Sequence, residues 1–168
     1  MNINDISNRQ IFALIALTTA LSMSFALYLQ YIVELAVCPL CFTQRVFIIG
    51  AGIIAAIAAL HGPSSPLGQR LYGLGVFAMI IVGGGFAGRH VWLQHLPADQ
   101  VPACGPSVEY MLQTLPFSDT LTILLMGDGN CADVVWTFLG LSIPELTLAI
   151  FFALGISTLW LIVRAKIK

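Results

Sequence analysis

The sequence predicts an all-α membrane protein: a bundle of four transmembrane helices with one long loop that carries a short interfacial helix. Three observations carry that prediction. Hydrophobic side chains make up 58% of the 168 residues and charged ones 9%, with a mean hydropathy of +0.93, which excludes an ordinary soluble domain. Four apolar runs, at about 11–32, 42–60, 71–93 and 146–163, each approach or reach the roughly 17 to 25 residues that a helix needs to cross ~30 Å of hydrocarbon. Between the last two lies a stretch, 94–144, whose apolar pieces are too short to span. Inside a bilayer every backbone N–H and C=O must be paired within its own segment, so the long runs are read as helices.

The first run is longer than the roughly 7 to 15 residue core of a signal peptide and no A-x-A-like site follows it, so it counts as a helix. A short loop, 33–41, leads to the second run through "AVCPLCFTQR". The third run is interrupted by Gly83 to Gly85 and by Arg89; Gly84 and Gly88, spaced G-x-x-x-G, read as a helix-packing face. In the loop 94–144, "SVEYMLQTLPF" and "LTILLMG" read as a segment lying flat on the bilayer surface. The fourth run completes a single domain over residues 1–168.

Orientation follows from the cations. Arg9, Arg70, Arg164, Lys166 and Lys168 all fall on one side if four helices cross, and the positive-inside rule makes that side cytoplasmic. Asp5 is the one acidic residue expected there. Both termini are then cytoplasmic and all four cysteines lie in the two outer loops, an even number on an oxidising face, which suggests disulfides.

The pair Cys38 and Cys41 can be read more closely. The residue before a proline avoids the α region and proline suits the first helical position, so Cys38 lies outside the helix, Pro39 opens it and Cys41 sits in its first turn. Unpaired N–H groups and the positive end of the helix dipole favour a thiolate there. Arg45, four residues on, shares that face and keeps its charge. Cys41 is thus expected to be the thiolate, with its pKa lowered. The alternative makes "CPLC" a structural disulfide and Arg45 a headgroup anchor. Cys104 and Cys131, with 26 residues between them, form the other pair; a plain cross-link there would contribute about 3 to 4 kcal/mol of chain entropy.

Taken together, "CPLCFTQR" at the start of the second helix, Cys104 and Cys131 in the outer loop, and "WTFLGLSIPEL" leading into the fourth helix resemble the bacterial inner-membrane disulfide bond formation protein B (DsbB) family over nearly the whole chain. The resemblance implies a thiol oxidoreductase that takes electrons from a reduced DsbA-like periplasmic thiol oxidase and hands them to a membrane quinone, ubiquinone or menaquinone. It implies that Cys104 is attacked by the partner, that Cys131 and Cys38 join across the loops in an intermediate, and that Cys41 faces the quinone. Arg45 would stabilise the thiolate and charge developing on a quinone oxygen. His90, in "GRHVWLQHLP", is a second candidate quinone neighbour, although a lone histidine at a helix end is more often interfacial. Arg89 is expected at the headgroups, and His61 and His95 have weaker cases.

Two rival classes use the same residues: a zinc site built from all four cysteines, disfavoured by the wide spacing of the second pair, and a non-catalytic four-helix protein with stapled loops. The C-x-x-C opens the second helix, unlike that of vitamin K epoxide reductase-type proteins, where it belongs to a later one. No nucleotide loop, metal motif or nucleic-acid patch is present; the partners that the resemblance implies are the DsbA-like oxidase, the quinone pool and the bilayer.

Overall fold

The computed structural model describes residues 7–165. Asp5, Lys166 and Lys168, which entered the orientation argument, lie outside the described residues. Four long helices form the bundle: α1 (Asn8–Tyr31), α2 (Pro39–His61), α3 (Pro66–Gln94) and, last in the chain, α6 (Ile143–Arg164). All four are long and apolar enough to cross a membrane. Between α3 and α6 come α4 (Val108–Thr114), α5 (Phe117–Met126), a 3-10 turn (Gly129–Cys131) and a hairpin of β1 (Thr137–Phe138) and β2 (Leu141–Ser142).

Each long helix begins before its apolar run because capping is done by polar residues that hydropathy does not register. Ser7 and Gln10 form a reciprocal capping box on α1. Cys38 caps α2, Ser65 caps α3, and Pro39 and Pro66 occupy the first helical position behind them. At α6 the Ser142 N–H donates to Glu145 Oε2 at 2.7 Å. Gly62, with φ +59°, ends α2 in the left-handed conformation that glycine adopts without a Cβ penalty.

α2 packs on both α1 and α3, and α3 packs on α6, while α1 and α6 touch only lightly. Phe12 and Ile15 of α1, Ala51, Ala55 and Ala58 of α2, Val76 and Ile80 of α3, and Phe151 and Leu161 of α6 form the core. The alanine stripe lets the α2 backbone approach its neighbours closely. Outward faces are apolar too, with Leu21, Ile53, Leu71 and Phe152 all exposed, as lipid contact requires.

The close glycines of α3 are Gly73, where a Cβ would lie 2.8 Å from Ile162 Cγ1, and above all Gly83, not the expected Gly84 and Gly88. A Cβ on Gly83 would lie 2.5 Å from the Phe151 ring and 2.9 Å from Phe47 Cβ, whereas Gly84 has ordinary room and Gly88 meets nothing within 4 Å. The G-x-x-x-G spacing marks a helix face, but the phase of α3 turns that face away from the tight contact.

The long loop holds two short helices where one was expected. Leu115, held extended (ψ 151°) before Pro116, breaks them apart. Thr43 Oγ1 donates to Leu124 O at 2.6 Å and Arg89 Nε to Met126 O at 2.7 Å, tying the end of α5 to α2 and α3. Arg89, expected at the headgroups, thus also holds the Met126 carbonyl at the end of α5. Phe117, Leu121 and Leu125 stay exposed along one face of α5. The stretch "WTFLGLS" makes the hairpin, in which Leu139 (φ +52°) and Gly140 (φ +83°) form the turn, two successive left-handed residues as a tight hairpin demands.

The start of α1 meets the end of α2, where Arg9 Nε donates to Ala59 O at 2.8 Å. Arg9, Gly62 and Arg164 line one cleft at that end of the bundle. The four cysteines gather at the opposite end.

Candidate functional site

The α2 start is built as the local sequence dictates. Cys38 sits outside the helix with extended backbone (φ −77°, ψ 159°) and its sulfur accepts from the Cys41 N–H at 3.3 Å. That leaves both sulfurs on the helix mouth, facing α3. His90 of α3 comes between them, with Nε2 3.7 Å from Cys38 Sγ and Nδ1 3.9 Å from Cys41 Sγ. It is only 3% exposed, so it is no interfacial or capping residue. Gln44, one turn beyond Cys41 and likewise buried, has Nε2 3.2 Å from His90 Nδ1 and 3.4 Å from Phe86 O.

The loop brings Cys131 to the same place. Cys131 is fully buried with Leu40 and Leu93, and its sulfur shares with Cys38 Sγ and a His90 ring nitrogen a cluster whose atoms all lie within 4.8 Å of one another. Gly127 makes this docking possible: at φ +78° a Cβ there would lie 2.8 Å from Leu40 Cδ1. The Cys131 thiol is brought down to about 7, first because the Cys38 thiol donates to it, with the Leu40 and Asp128 backbones adding to the effect against the cost of burial. Cys38 is pushed well up by the same bond, since losing its proton would break it, and by Cys41 and burial besides.

Asp128 organises the loop around this sulfur. Its buried carboxylate accepts from the Gly105 N–H at 3.0 Å and from the Asn130 N–H at 3.1 Å and side-chain amide at 2.9 Å. Cys131 Sγ lies 3.8 Å from Oδ1. The Asn130 amide also donates to Gly105 O at 3.0 Å, so the arm carrying Cys104 is held to the arm carrying Cys131. Gly129 lies directly against the first arm; a Cβ on it would come within 2.9 Å of Cys104 Sγ. Cys104 itself is exposed.

Behind Cys41 a cavity of about 490 Å³ runs between α1 and α6. Its walls include Ala26, Leu29, Ile150 and Ala153, and at one end stand Cys41, Gln44, Arg45 and His90. Arg45 points into it and does not anchor headgroups: Nη1 donates to Gln30 and Nη2 to Ala26 O at 3.1 Å, both on α1. Trp136, just before the hairpin, lines the cavity; it packs edge-on to Phe25 and stacks on Phe138.

Sequence reasoning missed Gln44, Gln30, Asp128 and Trp136. Gln44 carried a signal, being a polar residue one turn from Cys41 in an otherwise apolar helix. Of the other histidines, exposed His95 turns back to Val91 O, and His61 pairs with Tyr72 at the opposite end. Among the described residues the group within 4.8 Å holds two cysteines, Cys38 and Cys131, with His90; Cys41 and Cys104 are not in it.

A family model described as disulfide bond formation protein DsbB matches residues 8–161. The chain belongs to the DsbB family. Similar relatives are disulfide bond formation protein B of Saccharophagus degradans, 53% identical over 80% of this chain and 81% of its own, and that of Hahella chejuensis, 48% identical over 92% of each. Disulfide bond formation protein B 1 of Pseudomonas aeruginosa is 45% identical over 95% of this chain and 98% of its own. DsbB proteins are membrane thiol oxidoreductases that reoxidise DsbA in disulfide bond formation, and this multi-pass chain is one of that family.

Proposed function

We propose that this DsbB-family chain, acting as one domain over its whole length, relays electrons from a reduced DsbA-like thiol oxidase through Cys104, Cys131, Cys38 and Cys41 to a membrane quinone. The observation that carries the proposal is the meeting of Cys131 with Cys38 beside His90 while Cys104 remains exposed. The cysteine end is read as periplasmic and the end with Arg9, Arg70 and Arg164 as cytoplasmic, in the bacterial inner membrane.

In the relay the partner's thiolate attacks Cys104 of a Cys104–Cys131 disulfide and Cys131 leaves. Exposure of Cys104 and burial of Cys131 favour attack on Cys104 over attack on Cys131. Cys131 then attacks Cys38 of a Cys38–Cys41 disulfide, forming the Cys131–Cys38 bond and releasing Cys41. The partner's second thiol takes over its own mixed disulfide and leaves oxidised, and the freed Cys104 restores the bond to Cys131. The two electrons now reside on Cys38 and Cys41. His90 is in place to take or return a proton at either sulfur.

The cavity suits a quinone: apolar walls for the ring and tail, and at the Cys41 end a guanidinium, an amide and an imidazole for a carbonyl oxygen. A bound quinone, ubiquinone or menaquinone, supplies a two-electron acceptor. Arg45, fixed by Gln30 and Ala26, holds positive charge where a thiolate and a quinone oxygen would both lie. DsbA is a strong oxidant, so only an acceptor at least as oxidising drains it, and the lipid-facing cavity gives access to one.

The test is oxidation of a reduced DsbA-like protein by the purified chain in detergent with added quinone. Multiple turnover that needs both quinone and Cys104 supports the relay; multiple turnover without quinone, or in Cys41→Ala, overturns it.

A further inference from the structure

The relay needs two sulfurs close together, but it does not need an imidazole nitrogen as the third corner of a triangle. Cys38 Sγ, Cys131 Sγ and His90 supply that triangle, all within 4.8 Å, with the Cys38 to Nε2 edge at 3.7 Å. We propose that in the reduced chain these three side chains bind a thiophilic divalent cation of the zinc class, so that the metal holds the protein in its reduced, inactive form. The proposal rests on the same sulfurs as the relay, but on their positions and not on electron transfer.

Two thiolates and one imidazole with a fourth position open make a recognised zinc donor set. Bonds of about 2.3 Å to sulfur and about 2.0 Å to nitrogen in tetrahedral geometry place ligand atoms roughly 3.5 to 3.8 Å apart. One edge already has that length, and the others reach it with movements of about 1 Å or less at a sulfur, which cap and loop residues allow. The donors are shielded by Leu40 and Leu93, both essentially buried, which keeps the site dry enough for charge neutralisation by the cation to count.

A ligating histidine needs a partner on its other nitrogen. Gln44, 3.2 Å from Nδ1, keeps its amide nitrogen toward Phe86 O, so Nδ1–H takes Cys41 Sγ, 3.9 Å away, as its acceptor and the Nε2 lone pair is free for the metal. Binding releases two protons from the thiols and moves no electrons. When either sulfur is in a disulfide the donor pair does not exist, so the oxidised chain has no such site. Cys104, exposed and outside the cluster, takes no part, which separates this site from one built of four cysteines.

The experiment uses the full-length chain in detergent, reduced with a phosphine and freed of excess reductant without air, titrated with Zn(II) alone against a chromophoric chelator. Co(II) serves as a second probe through its thiolate charge-transfer band. One zinc per reduced chain and none per oxidised chain is expected, with affinity lowered about tenfold or more in Cys38→Ser, Cys131→Ser and His90→Ala and unchanged in Cys104→Ser. Because His90→Ala removes a buried ring, the near-isosteric Cys131→Ser is decisive. No zinc on the reduced chain, full affinity in Cys131→Ser, or loss in Cys104→Ser each overturns the proposal. A chain that turns over with quinone yet binds no zinc refutes the metal site alone; zinc bound without quinone-linked turnover supports it and refutes the relay alone.

Discussion

Replacing Asp128 with alanine is expected to unlatch the Cys131 arm. Asp128 is 5% exposed and its carboxylate receives three hydrogen bonds from nitrogen, one from Gly105 and two from Asn130, and a fourth, weak one from Cys131 Sγ at 3.8 Å. A hydrogen bond to a charged group contributes about 1.5 to 3 kcal/mol, and a buried donor left without a partner costs about 1 to 3 kcal/mol. The alanine variant retains the Asn130 to Gly105 O and Gly129 to Ala103 O bonds, so the arms keep part of their tie. Counting only the Gly105 and Asn130 backbone donors, and allowing water to reach them once the arm opens, the loss is about 2 to 3 kcal/mol. At 1.4 kcal/mol per factor of ten, the open fraction should rise about 30- to 140-fold. In the reduced chain Cys131 is fully buried, so its alkylation by a bulky maleimide requires opening, and when closing is fast the rate follows the open population. Mass spectrometry of peptides after timed alkylation should show Cys131 faster by that factor in Asp128→Ala, with exposed Cys104 little changed. A Cys131 rate within threefold of the parent chain would show that the carboxylate does not hold the arm and would refute the reasoning.

Arg45→Ala should raise the quinone concentration needed for half-maximal turnover by tenfold or more and leave the covalent adduct with the partner intact; Arg45→Lys should not restore it, because a point charge cannot reach Gln30 and the Ala26 carbonyl together. A partner lacking its resolving cysteine should be trapped on Cys104, as a larger band on a non-reducing gel that disappears in Cys104→Ala and persists in Cys41→Ala; an adduct at Cys38 or Cys41 would contradict the order of the relay. In a reduced chain keeping only Cys38 and Cys131, thiolate absorbance should appear with a midpoint of about 7, and Cys38→Ala should move it up toward the ordinary thiol value, with His90, which also faces Cys131, still present. Because the folded value of Cys131 lies below its unfolded one, loop docking gains from this group as pH rises from about 7 to the unfolded thiol value and loses that gain as pH falls back through 7. Above the unfolded value Cys38, shifted the other way, works against docking. Gly83→Val should destabilise the bundle by about 1 to 3 kcal/mol, seen as a lower unfolding midpoint in detergent, while Gly88→Val should not.

The spans were legible because hydropathy is a property of each residue added over a window, and no tertiary contact is needed to see it. What hydropathy cannot see is phase. Gly83 and Gly84 are neighbours in the sequence and about 100° apart around α3, and only the position of α6 decides which one faces Phe151. The helix starts were hidden for a related reason: Ser7, Ser65 and Ser142 are polar, and a capping residue belongs to the helix by its hydrogen bonds rather than its hydropathy. The break at Pro116 is readable from the rule for residues before proline, yet Leu115 and Phe117 on either side of it make the stretch read as one flat segment.

The site divides along the same line. Cys38 and Cys41 could be placed from spacing alone, because a proline between them fixes where the helix begins and the next four residues follow by geometry. Arg45 followed from them as a neighbour on the same face, but its grip on Gln30 and Ala26 crosses between helices and no spacing announces it. His90 is the sharper case: a histidine near a helix end is ordinarily interfacial, and this one is buried because the loop folds back over it and brings Cys131 alongside. That folding depends on Gly127, whose left-handed backbone turns the chain over Leu40, and on Asp128, whose carboxylate collects the N–H groups that the turn leaves unpaired. In sequence the two are part of "GDGNC", which reads as any polar turn. A turn becomes a site here because the sulfur at its end is buried against another sulfur and an imidazole, while Cys104 on the neighbouring arm stays exposed, so the loop presents one cysteine outward and one to the start of α2.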